Sequence, residues 1–228
     1  MELHIPQAVV FDLDGTLVDT VATRVEAWLE TFPRFGIETD RELLAPLMGS
    51  DGRLLARTVA EHAGVPLAPG VDAEIDRSAG ERFGELNAHP RPLPAAADVL
   101  AYLDSVSLPW AIATSSRPEE ALASVTSLGL PRQPLIVDGG DVEHAKPAPD
   151  LLLKAARQLS VEPSGTWYVG DSRWDMLAAV AAAMYPVGVA TGATSEAALA
   201  ASGAMATFAD LSRLLGALES AVSGLAPG

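Results

Sequence analysis

Residues 8–16 read Ala-Val-Val-Phe-Asp-Leu-Asp-Gly-Thr. Four consecutive apolar residues ending in acids predict a strand buried on both faces, the habit of a parallel sheet, with its carboxyl end in polar surroundings. Asp12 and Asp14 close that strand and Gly15 supplies a turn. Two carboxylates two positions apart on an extended segment leave it on the same side.

Working outward, similar apolar runs occupy residues 109–114, 135–138, 166–170, 186–190 and 206–208. Helical patterns lie between them, at residues 98–106, 149–159, 172–184, 195–201 and 211–220. A further helix follows Ser116. Glu119 three residues on completes a capping-box pattern, Pro118 suits the first turn, and Gly129 marks the stop. Strand and helix alternate from Ala97 onward, which predicts an α/β fold with a doubly wound parallel sheet and ligands outside the carboxyl ends of its strands.

Residues 18–88 break the alternation. They hold no strand pattern and several helical ones, among them Leu54, Leu55, Thr58, Val59 and His62 along one expected face. An all-helical insertion is expected there. The proline-rich stretch His89-Pro90-Arg91-Pro92-Leu93-Pro94 reads as the return linker. Residues 1–17 and 89–228 then form the core, and 18–88 the inserted unit. No internal repeat is visible, and the only low-complexity stretch is the short end at residues 224–228.

The acids carry the chemistry. A carboxylate can attack phosphorus, and a second acid nearby can protonate a leaving alkoxide and later activate water. An isolated pair such as Asp12 and Asp14 fits a helix cap or turn equally well; the strand before it and the helical insertion after it favour chemistry. Asp171 ends the 166–170 strand, and Asp175 follows one helical turn later, expected on the same face. With Asp12 these acids form an oxygen-rich set of the kind magnesium prefers. Thr114, Ser115 and Ser116 close another strand before a helix, where hydroxyls and free N–H groups can hold phosphate oxygens. Lys146, one of two lysines, precedes a helix start at Pro147 and is placed to balance carboxylates and phosphate. Lys154 reads as a surface charge.

Bulk properties narrow the classes. A formal charge of −15 in 228 residues argues against nucleic acid, whose binding relies on lysine and arginine. With no cysteine there is no disulfide framework or thiolate metal site, and a reducing compartment is the simplest setting. No window approaches the roughly 20 apolar residues of a membrane span. The first residues lack a basic region followed by an uninterrupted apolar stretch. A cytoplasmic protein is expected, acting as a monomer or weak dimer.

The order DxDGT at Asp12, threonine at a second strand end, Lys146-Pro147, and Gly170-Asp171 with Asp175 resembles the haloacid dehalogenase superfamily across essentially the whole chain. The early insertion resembles the small helical cap of its phosphoglycolate phosphatase-like and beta-phosphoglucomutase-like members. This resemblance implies Asp12 as nucleophile and Asp14 as general acid/base. Magnesium would bind Asp12, the backbone carbonyl of Asp14 and Asp171, with Asp175 assisting. Thr114, Ser115 and Lys146 would hold the phosphoryl group of a small phosphorylated metabolite. Arg24, Trp28, Ser50, Arg53 and Arg117 are candidate substrate contacts. Ala183 stands where relatives often carry glycine. The implied activity is magnesium-dependent hydrolysis of a phosphate monoester through an aspartyl-phosphate. A phosphosugar mutase is the rival, since it would share the fold, Asp12, Asp14, magnesium and the helical cap; hydrolysis is favoured because mutase-like members tend to place an acid where Gly170 stands and to lack Asp175. A catalytically silent binding protein is the third reading, but no catalytic group is missing.

Overall fold

The computed structural model describes residues 5–223; the tail at residues 224–228 lies outside them. β1 (Ala8–Phe11) is followed by α1 (Val21–Thr31), the short α2 (Arg41–Leu44), α3 (Gly52–His62) and α4 (Val71–Leu86). Then come α5 (Ala96–Ser105), β2 (Trp110–Ala113), α6 (Pro118–Ser127), β3 (Ile136–Val137) and α7 (Asp150–Leu159). β4 (Thr166–Gly170), α8 (Arg173–Ala181), β5 (Tyr185–Val189), α9 (Glu196–Ala201), β6 (Ala206–Phe208) and α10 (Leu211–Ser223) complete the described chain.

The strands form one parallel six-stranded sheet in the order β3-β2-β1-β4-β5-β6. Alternating side chains feed opposite faces, as strand geometry requires. Val9, Phe11, Ile112, Trp167, Val169 and Val187 pack with α5 and α10 on one face. Val10, Ala111, Tyr168 and Ala113 pack with α7 and α8 on the other. Burying an aromatic such as Phe11 contributes about 1.5–3 kcal/mol. β1 is central, and the order of connection reverses beside it, so ligands belong at its carboxyl end.

Register then fixes which residues meet. Phe11 lies opposite Ile112 on β2 and Val169 on β4, so the residues just beyond these strands converge. Those residues are Asp12, Thr114 and Asp171.

Helices α1–α4 have a core of their own: Val25, Trp28, Phe32, Leu44, Val59 and Ile75 are buried together. The two connections to the sheet run side by side. Asp19 N–H donates to the Arg91 carbonyl at 2.9 Å, and Leu93 N–H to the Leu17 carbonyl at 2.9 Å. The expected proline-rich linker is therefore partly strand-like rather than free.

Three local readings of the sequence need correction. The buried face of α3 is Leu55, Ala56, Val59 and Ala60, whereas His62 is exposed. The small alanines let α3 approach α4 and turn the helix away from the face that leucine and threonine marked. Ser116 does not cap α6; Arg117 holds the N-cap position without a side-chain bond, because the Ser116 hydroxyl is bonded elsewhere. Asp171 and Asp175 do not share a helix face, since α8 starts only at Arg173. Strand and helix ends otherwise shift by one to three residues from expectation. No helix among the described residues is long and apolar enough to cross a membrane.

Candidate active site

A cavity of about 550 Å³ opens between the carboxyl ends of β1, β2 and β4 and the helices α1, α3 and α4. Asp12 lies at its floor, 2 % exposed. The Asp12 N–H donates to the Val169 carbonyl at 2.8 Å, so the sheet ladder itself fixes the backbone there. Lys146, 1 % exposed, donates from Nζ to Asp12 Oδ1 at 2.5 Å and to Asp175 Oδ1 at 2.8 Å. Asp12 Oδ2 takes no protein hydrogen bond among the described residues. One oxygen of Asp12 is thus fixed and the other is left for a ligand.

Asp175 is fully buried and does its work from beneath the floor. As the third residue of α8 it accepts from the Ser172 N–H at 3.0 Å and the Ser172 hydroxyl at 2.5 Å, a reciprocal capping box. Its other oxygen accepts from Lys146 and from the Tyr168 hydroxyl at 3.1 Å. Gly170 is what makes room: a Cβ there would stand 2.3 Å from Asp175 Cβ. Asp171 accepts from the Thr16 hydroxyl at 2.9 Å. Gly15, at φ +84°, turns the chain past it where a Cβ would lie 2.6 Å from Asp171 Oδ2.

Asp12, Asp171 and Asp175 each offer an oxygen within 4.8 Å of the others. Three buried carboxylates face a single ammonium. Burial pushes Asp12 up to about 7, with Lys146 pulling it back and Asp175 pushing further. Asp171 is raised by burial and by Asp175 and Asp12. Lys146 is pushed down by burial but held well above its ordinary value by Asp12 and Asp175. An all-oxygen set with excess negative charge fits a hard divalent cation.

Asp14 is managed differently. The Thr20 hydroxyl donates to Oδ1 at 2.7 Å, and Arg24 at 2.9 Å and the Ser116 hydroxyl at 2.5 Å donate to Oδ2. Burial would raise its carboxyl, but Arg24 and the two hydroxyls overcome that and hold it below its ordinary value of 3.8. Two carboxylates two residues apart are thereby driven to different proton affinities.

The sequence profile described as haloacid dehalogenase-like hydrolase matches residues 9–189. The chain belongs to the haloacid dehalogenase-like hydrolases. It is 31 % identical to the fructose-1-phosphate phosphatase of Escherichia coli strain K12, over 79 % of this chain and 94 % of that one. It is 34 % identical to phosphoglycolate phosphatase 1 of Pseudomonas aeruginosa, over 78 % of this chain and 67 % of that one. Among solved structures it superposes on a Bacteroides vulgatus protein provisionally named a beta-phosphoglucomutase, with TM-score 0.86 and 25 % identity, over 99 % of this chain and 93 % of that one.

In this haloacid dehalogenase-like hydrolase the cavity brings together Thr114, Ser115 and Lys146 around Asp12, with Asp14 and Asp171. Thr114 Oγ1 accepts from the Ser116 N–H at 3.1 Å, and the Ser115 hydroxyl is 3.5 Å from the Gly49 carbonyl. Arg24, Trp28, Ser50, Arg53 and Arg117 all line the wall. Trp28 also stacks on Phe32 with ring centroids 5.4 Å apart, and the Ser50 hydroxyl donates to the Leu47 carbonyl at 2.7 Å. Five residues escaped the sequence reading: Thr16, Thr20, Tyr168, Glu120 and Asp76. Thr16 was legible as the last letter of the DxDGT motif. Tyr168 carries no such signal, being one more apolar-looking residue inside a strand.

Proposed function

We propose that the chain is a magnesium-dependent phosphatase that hydrolyses a small-molecule phosphate monoester through an aspartyl-phosphate on Asp12. The observation that carries this is the state of Asp12: one oxygen is held by Lys146, while the other takes no protein partner on the cavity floor. Asp12 Oδ2 attacks phosphorus, the ester P–O bond breaks, and the leaving alkoxide takes a proton from Asp14. Water then attacks the phosphorus of the acyl phosphate with Asp14 accepting its proton, the bond from Asp12 Oδ2 to phosphorus breaks to return the carboxylate, and inorganic phosphate leaves. Asp14 as seen, with Arg24, Thr20 and Ser116 around it, is the ionised form suited to that second step. To serve as acid in the first it must be protonated and loosened from Arg24.

Lys146 and the N–H groups and hydroxyls at the end of β2 hold the phosphoryl oxygens. A magnesium ion held by Asp12, the Asp14 carbonyl and Asp171, with Asp175 beside them, would neutralise charge on the phosphoryl group. Asp175 acts chiefly by orienting Lys146. Residues 1–17 and 89–228 are taken as the catalytic unit and 18–88 as the cap, which closes over the substrate and excludes water.

The phosphosugar mutase stands as the second reading because of the likeness to the Bacteroides vulgatus protein. Against it, mutase-like members tend to carry an acid where Gly170 stands, and here any side chain at that position would meet Asp175, 2.3 Å from a Cβ. Phosphate released from p-nitrophenyl phosphate with magnesium, and lost in excess chelator or in Asp12→Asn, supports the phosphatase reading. Isomerised sugar from glucose 1-phosphate plus catalytic glucose 1,6-bisphosphate, without free phosphate, would replace it with the mutase.

A further inference from the structure

Above the Asp12 floor, one wall of the cavity is a continuous chain of ion pairs that crosses between α1–α4 and the sheet unit. Arg24 on α1 reaches Asp14 at 2.9 Å and Glu120 on α6 at 2.7 Å. Arg117 reaches the other oxygen of Glu120 at 3.3 Å and pairs with Asp76 on α4. The order is Asp14, Arg24, Glu120, Arg117, Asp76: three carboxylates enclose two guanidiniums, with a formal charge of −1. Both arginines are held on two sides. Arg24 also donates to the Ser116 hydroxyl at 2.5 Å and lies 3.6 Å from the centre of the Phe83 ring.

The chain is fitted closely to its surroundings. Gly80 of α4 admits Glu120 so closely that a Cβ would stand 2.2 Å from a Glu120 oxygen. Glu120 is 7 % exposed and its carboxylate is committed to both arginines. Burial pushes Asp76 up; Arg117 pulls it back, and Glu120 and Asp51 push it further. The negative balance of the wall is the formal one, three carboxylates to two guanidiniums. Of the other cations on the cavity, Arg53 is spent partly on the Glu143 carbonyl at 3.0 Å and is 46 % exposed. Arg77 is exposed at the mouth, where water screens it.

We propose that this ion-pair chain makes the enzyme select phosphate monoesters whose far end is an uncharged polyol, and reject those carrying a second anion there. The inference rests on the phosphatase reading and names its substrate class. Asp76, Glu120 and Arg117 all line the cavity, and hydroxyl groups can use the remaining lone pairs and N–H groups there without breaking any pair. A carboxylate or second phosphate must either expel one of the resident carboxylates from its arginine or be desolvated beside a wall that is already negative. Asp76 and Glu120 are thus the specificity-determining residues, and they act by keeping Arg117 occupied.

The test compares kcat/KM, with magnesium present, for fructose 1-phosphate, phosphoglycolate and fructose 1,6-bisphosphate, with p-nitrophenyl phosphate as a control. Fructose 1-phosphate is expected to exceed both anionic esters by at least about tenfold. Asp76→Asn, at a partly exposed position, frees Arg117 and is expected to shift the ratio toward phosphoglycolate by about tenfold. Glu120→Gln should shift it the same way. Phosphoglycolate or the bisphosphate hydrolysed by the unaltered protein as well as fructose 1-phosphate would overturn the proposal, and so would an unchanged ratio in a folded Asp76→Asn protein. If Asp76→Asn fails to fold, the preference of the unaltered protein decides. An absence of release even from p-nitrophenyl phosphate would overturn the phosphatase reading itself, and the selectivity proposal with it.

Discussion

Lys146 is the residue on which the floor of the site turns. A buried ammonium is stable only when its charge is met, and here Asp12 and Asp175 meet it from two sides. Asp175 is in turn held by Ser172 and Tyr168, so the position of the nucleophile depends on a capping box at the end of the neighbouring strand β4. Gly170 is the weakest point of this arrangement. In Gly170→Ala the new methyl would lie 2.3 Å from Asp175 and must displace it, leaving Lys146 with a single carboxylate. We expect a loss of about 1–3 kcal/mol in stability and a fall in turnover beyond what lost folding explains. Chemical denaturation beside kcat on p-nitrophenyl phosphate checks both, and unchanged kcat would show that Asp175 does not position Lys146. The positions of Asp12, Asp14 and Asp171 at strand ends were legible because each apolar run stops at an acid; the roles proposed for them come from the motif resemblance. Tyr168 and Thr20 were not, since a hydroxyl that supports a carboxylate looks like any other until the fold brings the two together.

At the scale of elements, helix ends show what local sequence could and could not say. α8 leaves through a Schellman turn: Met184 N–H donates to the Ala179 carbonyl at 3.0 Å and Ala183 N–H to that of Val180 at 3.1 Å. That turn puts Ala183 at φ +55°, in the left-handed region, and it is exposed. Ala183→Gly should therefore stabilise the protein by about 0.5–1 kcal/mol, a rise of roughly 1–4 °C in Tm for a chain of this size. An unchanged or lower Tm would show that the turn carries no strain. At the end of α5, Asp104 accepts from Trp110 Nε1 at 2.9 Å and from Arg132 at 2.6 Å, tying the helix to the start of β2. The Trp110 bond, against a smaller cost of burial, and then Arg132 lower its carboxyl below 3.8. A lowered carboxyl contributes stability that is present above its unfolded value and lost as pH falls through the folded one. Asp104→Asn should thus cost about 0.5–1 kcal/mol at pH 7, discounted for partial exposure. The difference from the unaltered protein should shrink as pH falls below about 4. A constant gap from pH 7 to pH 3, by urea denaturation, would contradict this. The alternation of strands and helices was readable from apolar runs and breakers alone. The face of α3 and the cap of α6 were not, because alanine gives a weak signal of burial and because Asp14, 102 residues away, takes the Ser116 hydroxyl that the helix would have used.

For the whole molecule, sheet order and register decide where chemistry can occur. β1 lies between β2 and β4, so Asp12, Thr114 and Asp171 meet from three distant parts of the sequence. The helical insertion leaves the core just after Asp14 and returns beside its own exit, held by the Asp19–Arg91 and Leu17–Leu93 backbone bonds. The motif order made this core visible in the sequence. The ion-pair wall that α1 and α4 build against α6 was only partly visible there: Asp14 belongs to a motif and Arg24 and Arg117 are candidate contacts, but Glu120 and Asp76, which join them over as many as 96 positions, belong to no motif. The central claim is that phosphate passes through Asp12, and it is tested most directly on the intact protein. After rapid acid quench from p-nitrophenyl phosphate and magnesium, Asp14→Asn should carry one added phosphoryl group by intact mass, mapped to Asp12. This follows because an activated leaving group needs little protonation, whereas hydrolysis of the phosphoenzyme loses a base worth about 10²–10⁴-fold. Asp12→Asn should carry none and should not turn over. Full turnover by Asp12→Asn, or a phosphoryl group mapped to Ser115 or Ser116, would contradict the account.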